Sequence, residues 1–243
     1  MADASEEPAP RDAATLVIVD ESRSGRSVLL GKRRQTQVFA PGKYVFPGGS
    51  VDAADSLMPP CGQLRDSERI PLLHDLKPVS NAAVPETFAL AAIRETFEET
   101  GLLIGTRTRH ARAVPKSWQG FVELGCQPRL AGLSFIARAI TPPGRSRRFD
   151  ARFFLALAAD IAVQTNATDG EFEELRWVSF AAAYDLDLHG VTRSVLEEAE
   201  RYLGLSAHGR SVAGVPYYFA TGHGWQRDVI ARRPPSAVAT VRT

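Results

Sequence analysis

Three glutamates, Glu95, Glu98 and Glu99, stand in the run Arg94-Glu95-Thr96-Phe97-Glu98-Glu99-Thr100-Gly101-Leu102, with Glu86 nine positions before Glu95. On a helix turning about 100° per residue they share an arc of roughly 100°, opposite a stripe of Leu90, Ile93 and Phe97. Like charges three and four apart cost a few tenths of a kcal/mol per pair, and no Lys or Arg stands within a turn on that arc. A cation is therefore expected there. Carboxylates on a rigid helix are hard oxygen ligands that suit Mg²⁺ or Mn²⁺, and such ions favour phosphate-bearing substrates.

The helix that must carry them has visible ends. Pro85 suits a first helical position, where a missing N–H costs nothing, and Gly101 suits the residue just past the last turn. Upstream, Tyr44 to Phe46 reads as a strand feeding Pro47-Gly48-Gly49. Thr15 to Asp20 and Ser27 to Leu30 read as a hairpin turned by residues 21–26. Later strands are expected at Leu133 to Ile140, Arg152 to Ala158 and Leu175 to Val178, and helices over Phe180 to Leu186 and Thr192 to Leu203. Val215 to Phe219 reads as a late strand in an otherwise weakly patterned end. Alternating strands and helices indicate an α/β fold.

These residues in this order resemble the Nudix box, Gly, five residues, Glu, seven residues, Arg-Glu-hydrophobic-x-Glu-Glu-x-Gly-hydrophobic. Gly49, Glu86, Arg94, Glu95, Glu98, Glu99, Gly101 and Leu102 take the specified places. Thr96 replaces an aliphatic residue, and 36 residues rather than five separate Gly49 from Glu86. An insertion between a strand end and a helix start is entropically cheap. It is also similar to one in the Nudix branch that includes peroxisomal coenzyme A diphosphatases. Leu29 to Gly49 further resembles, in part, a coenzyme A-associated signature, retaining Arg33 and Gly42 but carrying Gly31, Arg34 and Val38 in place of its Thr, Ser/Ala and inner Arg.

The resemblance implies an α-β-α sandwich with a mixed sheet and a partly helical insertion inside the box. It implies a Mg²⁺- or Mn²⁺-dependent diphosphatase, with Glu98 and Glu99 as ligands, Glu95 as ligand or base, and Arg94 fixing a carboxylate. Gly49 and Glu86 would support those ligands from behind, Glu86 being about 13 Å from Glu95 along a helix axis. A further acid is expected from Asp169 to Glu174, with Glu174 the first choice and Glu171 the second. Arg33 and the run Arg145, Arg147, Arg148, continued by Arg152, are the expected substrate contacts, since guanidinium forks match phosphate oxygens. Coenzyme A or an acyl-CoA, cleaved to 3′,5′-ADP and phosphopantetheine, leads as substrate. A diphosphatase of ADP-ribose or a nucleotide sugar, and a Nudix module that senses a ligand without turnover, are the rival readings.

Composition bounds the rest. The chain has 243 residues, 44% hydrophobic, with a formal net charge of +1, which argues against nucleic-acid binding by bulk electrostatics. Cys61 and Cys126 are far apart and lack zinc-site spacing, so a reducing, cytoplasmic setting is expected. No apolar run approaches the roughly 18 residues of a membrane span. Trp118, Phe121, Tyr217, Tyr218 and Trp225 are read as core before adenine stackers, and His223 as a loop histidine. The expected organisation is a flexible tail over 1–13, one domain over 14–204 with its insertion at about 50–84, and an extension over 205–243 packed on that domain. The insertion reads as a cap or as the contact of a homodimer.

Overall fold

The computed structural model describes residues 8–22, 25–76, 84–108, 113–167, 170–222 and 224–232. Strand β1, Arg11–Asp20, sends Ala14, Leu16 and Ile18 into one core and Val17 and Val19 into another. A strand buried on both faces needs a central place in a sheet covered on both sides. It turns back into β2, Ser27–Arg33, pairing Val19 with Val28, and is followed by β3, Tyr44–Val45, and β4, Gly48–Ser50. After a 3₁₀ turn at Ala53–Leu57 come α1, Asp66–Leu72, and α2, Pro85–Thr100. Then follow β5, Leu102–Arg107, α3, Gln119–Glu123, and β6, Cys126–Pro128. The chain continues through β7, Ser134–Ile140, β8, Phe149–Leu157, β9, Ile161–Gln164, and β10, Phe172–Ser179. It ends on α4, Phe180–Ala183, α5, Gly190–Gly204, α6, Ala207–Val212, β11, Val215–Thr221, and β12, Gly224–Ile230.

The main sheet runs β10-β2-β1-β8-β7-β11-β12, with β3 on β2 and β4 on β1. It is mixed, since β1 and β8 run parallel, as do β7 and β11, while the remaining pairs are antiparallel. A small sheet, β6-β5-β9, lies with α2 and α3 over one face, where Phe88, Ile93, Leu103 and Phe121 share a core with Leu16. On the other face α5 lays Val195, Leu196, Ala199 and Tyr202 against Val17 and Leu30. Helix, sheet and helix thus form the expected sandwich. No helix among the described residues is long and apolar enough to cross a membrane.

One boundary changes here, and two expectations gain detail. The first strand begins at Arg11, inside the stretch assigned to a tail, because Val51 N–H bonds Asp12 O at 2.9 Å and Arg152 bonds the Asp12 carboxylate at 2.7 Å. The C-terminal stretch does more than lie on the domain, since β11 and β12 extend its sheet. The described part of the insertion is anchored to the domain at α1. Glu68 of α1 is buried and accepts Phe135 N–H at 2.7 Å and Arg232 Nη1 at 2.6 Å.

Candidate active site

Two backbone segments meet where β4 passes the end of α2. Gly48 N–H donates to Glu99 Oε2 at 2.8 Å. A Cβ on Gly49 would strike the Glu95 carboxylate, so a larger residue there would push that side chain from its place beside β4. Gly101, at φ +72°, caps α2 in the left-handed region, and its N–H bonds Phe97 O. The helix is less amphipathic than its spacing implies. Phe88 to Arg94 are all buried, and the acid face opens only at Glu95 and Glu98, with Glu99 just 2% exposed.

Arg94 organises that end. Its Nε and Nη2 form a two-pronged pair with Asp55 at 2.7 and 3.0 Å, Nη2 also bonds Ser50 O at 3.0 Å, and Nη1 reaches Glu95 at 2.8 Å and Glu98 at 3.2 Å. Burial works against the Arg94 charge, and the bonds of Asp55 with the field of Glu95 outweigh it, so its pKa is raised. Asp55 is wholly buried and also accepts Trp118 Nε1 at 3.1 Å and Asp52 N–H at 2.9 Å. Sequence reasoning missed it, although the signal was present. With five residues between Gly49 and Asp55, the aspartate stands where the box pattern has its first glutamate, so the insertion follows the acid instead of preceding it. Glu86 accordingly does not face Arg94; it pairs with Arg69 of α1 at 2.6 Å, near the opposite end of α2.

The carboxylates crowd. Burial, followed by the charge of Glu171, pushes Glu99 well above the ordinary carboxylate range. Burial likewise raises Glu95 to about 7, even against the pull of Arg94. Glu171, immediately before β10, is the fourth acid of this group, and it is ion-paired with Arg33. Glu174 is not part of it. A bulge between Phe172 and Glu174 turns that side chain outward, where it accepts Tyr44 Oη at 2.8 Å and lies 3.4 Å from Arg176. The donor set suits a hard divalent cation, since four neighbouring carboxylates, two of them desolvated, repel one another and favour a positive charge. Among the described residues, though, no three such groups converge on a single point, because Arg94, Arg33 and Gly48 N–H engage them separately.

The arginine run splits. Arg145 and Arg147 are exposed, while Arg148 donates to Thr141 O and Pro8 O, both at 3.2 Å. Arg152 is internal, bound to Asp12 and stacked 4.0 Å above the centre of the Phe88 ring. Arg33 lies beside the acids and donates Nε to Phe39 O at 2.8 Å, tying them to the loop after β2. Trp118 and Phe121 are core residues, Trp225 is exposed, and His223 lies outside the described residues.

The family model described as the NUDT19 Nudix domain matches residues 10–189. Acyl-coenzyme A diphosphatase NUDT19 of Gallus gallus is 28% identical over 229 residues, covering 70% of this chain and 61% of its own length. The Homo sapiens protein of the same name is 30% identical over 178 residues, covering 54% and 48%. The chain thus spans about half to three fifths of these relatives. Among solved structures, a NUDIX hydrolase from Alicyclobacillus acidocaldarius superposes with a TM-score of 0.56 at 25% identity, covering 78% of this chain and 90% of the other.

Proposed function

Because the chain belongs to the Nudix hydrolases, in the family of the NUDT19 domain, we propose that it is a Mg²⁺-dependent diphosphatase of coenzyme A or acyl-CoA. The products are 3′,5′-ADP and the corresponding phosphopantetheine. Nudix hydrolases as a family work with divalent metal ions; the choice of magnesium and of substrate is ours. One observation carries the reading: Glu95, Glu98, Glu99 and Glu171 gather beside Gly48, whose N–H bonds Glu99, and Gly49, against which the Glu95 carboxylate lies.

A diphosphate bridge resists water because its anionic oxygens repel nucleophiles. Magnesium held by Glu98 and Glu99 would supply the neutralising charge and a site for water. Glu95, poised to exchange a proton near neutrality, would take the proton from that water, and Glu171 would complete the acid set from β10. Arg94 would hold Glu95 and Glu98 in register, with Asp55 and Trp118 fixing the arginine. Acyl-CoA enters as substrate from the names of the two NUDT19 relatives and from the partial Leu29 to Gly49 signature.

The test is hydrolysis in ¹⁸O-labelled water with magnesium. Coenzyme A, acyl-CoAs, ADP-ribose, NADH and diadenosine polyphosphates are compared. Label in a phosphoryl product from coenzyme A supports the reading. Label only in a carboxylic acid would indicate thioester hydrolysis, and turnover confined to ADP-ribose would move the substrate to a different class.

A further inference from the structure

The main sheet ends on β12, whose outer edge pairs with no strand among the described residues. Every residue of β12 except Ile230 is exposed, Trp225 at 59% and Val229 at 51%. The strand pairs with β11 in unbroken register, so its free edge is regular as well as open. Such an edge invites another strand.

The groups it offers follow from β11. Pro216 stands opposite Val229 and has no N–H to give, while Val229 N–H goes to the Asp228 carboxylate at 2.7 Å. The ladder with β11 therefore runs through Gln226, Asp228 and Ile230, and Trp225, Arg227 and Val229 turn their N–H and C=O groups outward. The side chains of these three share the face that carries α5. Arg227 is held there, since its Nε and Nη2 both donate to Glu198 Oε1, at 3.1 and 2.8 Å, and its guanidinium carbon lies 5.9 Å from the centre of the Tyr218 ring. The arginine side chain nevertheless remains 46% exposed. A fixed cation and a solvent-facing indole thus stand two residues apart on one face of an open edge, and reversing the strand places each opposite the other.

Two copies related by a two-fold axis normal to the sheet run antiparallel, and opposed residues share a face only if the pairing is centred on a residue. Centring it on Arg227 or Asp228 sets like charges against each other. Those registers, and one centred on Val229, also call on the N–H that Asp228 already holds. Centring it on Trp225 leaves most of the strand unpaired. Centring it on Gln226 has none of these faults. Trp225 then meets Arg227 of the second copy, Arg227 meets the second Trp225, Gln226 meets its own counterpart, and Asp228 meets Gly224.

We propose that the chain forms a two-fold dimer by antiparallel pairing of β12 with β12 of a second copy, centred on Gln226 and locked by two reciprocal Trp225–Arg227 cation–π contacts. The sheet is then continuous through both molecules. The contact lies on the last strand of the sheet and not on the insertion after Asp55, and it is independent of the diphosphatase reading. A single strand pair makes a small interface, so the association is expected in the micromolar range.

Sedimentation velocity of the full native chain over a concentration series tests this. The expected result is a monomer–dimer equilibrium that Trp225→Ala weakens at least about tenfold, because two symmetric contacts are lost. Arg227→Gln, which keeps a donor for Glu198, should weaken it comparably. Trp177→Ala, at the exposed tryptophan of the opposite edge strand β10, should leave it unchanged. The decisive measurement mixes Trp225→Ala with fluorescently tagged Arg227→Gln. Their heterodimer retains one intact Trp225–Arg227 contact where each homodimer has none, so the two variants should bind each other more tightly than either binds itself. A native chain that stays monomeric throughout the series overturns the proposal. So does a mixture no tighter than the separate variants, which would deny the Trp225–Arg227 pairing, and so does equal weakening by Trp177→Ala, which would move the contact to β10.

Discussion

At one end of the active face Arg94 gives its N–H groups to Asp55, Ser50, Glu95 and Glu98 inside the protein; at the other, Arg145 stands in solvent with no ion pair among the described residues. Both are single guanidinium groups within reach of carboxylates or of a substrate anion. They differ in what holds them. A charge taken out of water is tolerated only if its partners are fixed and complete, so the acid end is built as a closed network in which each member constrains the next. A rim arginine needs no such network and is held by nothing until a ligand arrives. On the proposed function, chemistry that must be placed to a fraction of an ångström would fall to the buried end, and recognition to the open one.

Removing a member of the buried network should give the largest effect. Asp55→Ala leaves the Arg94 charge buried beside an empty space and is expected to destabilise the fold by about 3–5 kcal/mol, read from chemical denaturation. Asp55→Glu, which restores the acid, should recover part of that loss. If Asp55→Ala unfolds at the native midpoint, the contrast between the two ends collapses.

Next come the two carboxylates proposed as metal ligands. Glu98→Gln and Glu99→Gln should each lower turnover by at least about 100-fold at saturating magnesium and substrate, since an amide is a poorer ligand for a hard cation. The denaturation midpoint should barely move. Near-native turnover in either variant would remove that residue from the ligand set.

A smaller effect should appear with pH. Glu95 has a folded pKa of about 7, above the 4.5 of the unfolded chain, so its stabilising contribution is complete below pH 4.5 and fades as pH rises to about 7. The melting temperature of the metal-free native chain should therefore fall across that window relative to Glu95→Gln, and magnesium should abolish the difference. A difference that grew in the opposite sense would mean that Arg94 outweighs burial at Glu95. Arg147→Ala should do least, staying within about 0.5 kcal/mol of native stability and within about twofold in KM for coenzyme A, since the structure gives that side chain no internal role. A larger change in either would draw the rim into the network and blur the distinction between the two ends.

The sequence was most readable where one element carried the information. Helix α2 begins at Pro85 and stops before Gly101 because a missing N–H and a left-handed φ of +72° are local properties of those residues. The hairpin of β1 and β2, and the strands β7 and β8, were legible as short apolar runs because each is buried on both faces. Legibility failed wherever the partner came from elsewhere in the chain. Asp55 was hidden by the matching glutamate at 86, and only the pairing with Arg94 across 39 positions distinguishes them. The choice between Glu171 and Glu174 depended on a bulge against β2, which a run of acids does not announce. Arg152 looked like part of a basic loop, yet it lies one strand inward, where Asp12 and Phe88 wait for it.

The clamp at Arg232 bears on the order in which the chain is assembled. That guanidinium donates to Ala213 O, Ser67 O, Phe135 O and Glu68, so α1 is held by a residue 164 positions later. During synthesis, the strands from β1 to β8 can pair while the end of the polypeptide is still in the ribosome, but the excursion that begins at Asp55 cannot be locked down. We therefore predict that catalytic competence is the last property a nascent molecule acquires, well after its sheet is formed. Pulse-labelled hydrogen exchange during refolding would detect this as protection in α1 appearing together with β12, and protection of α1 alongside β1 and β2 would count against it.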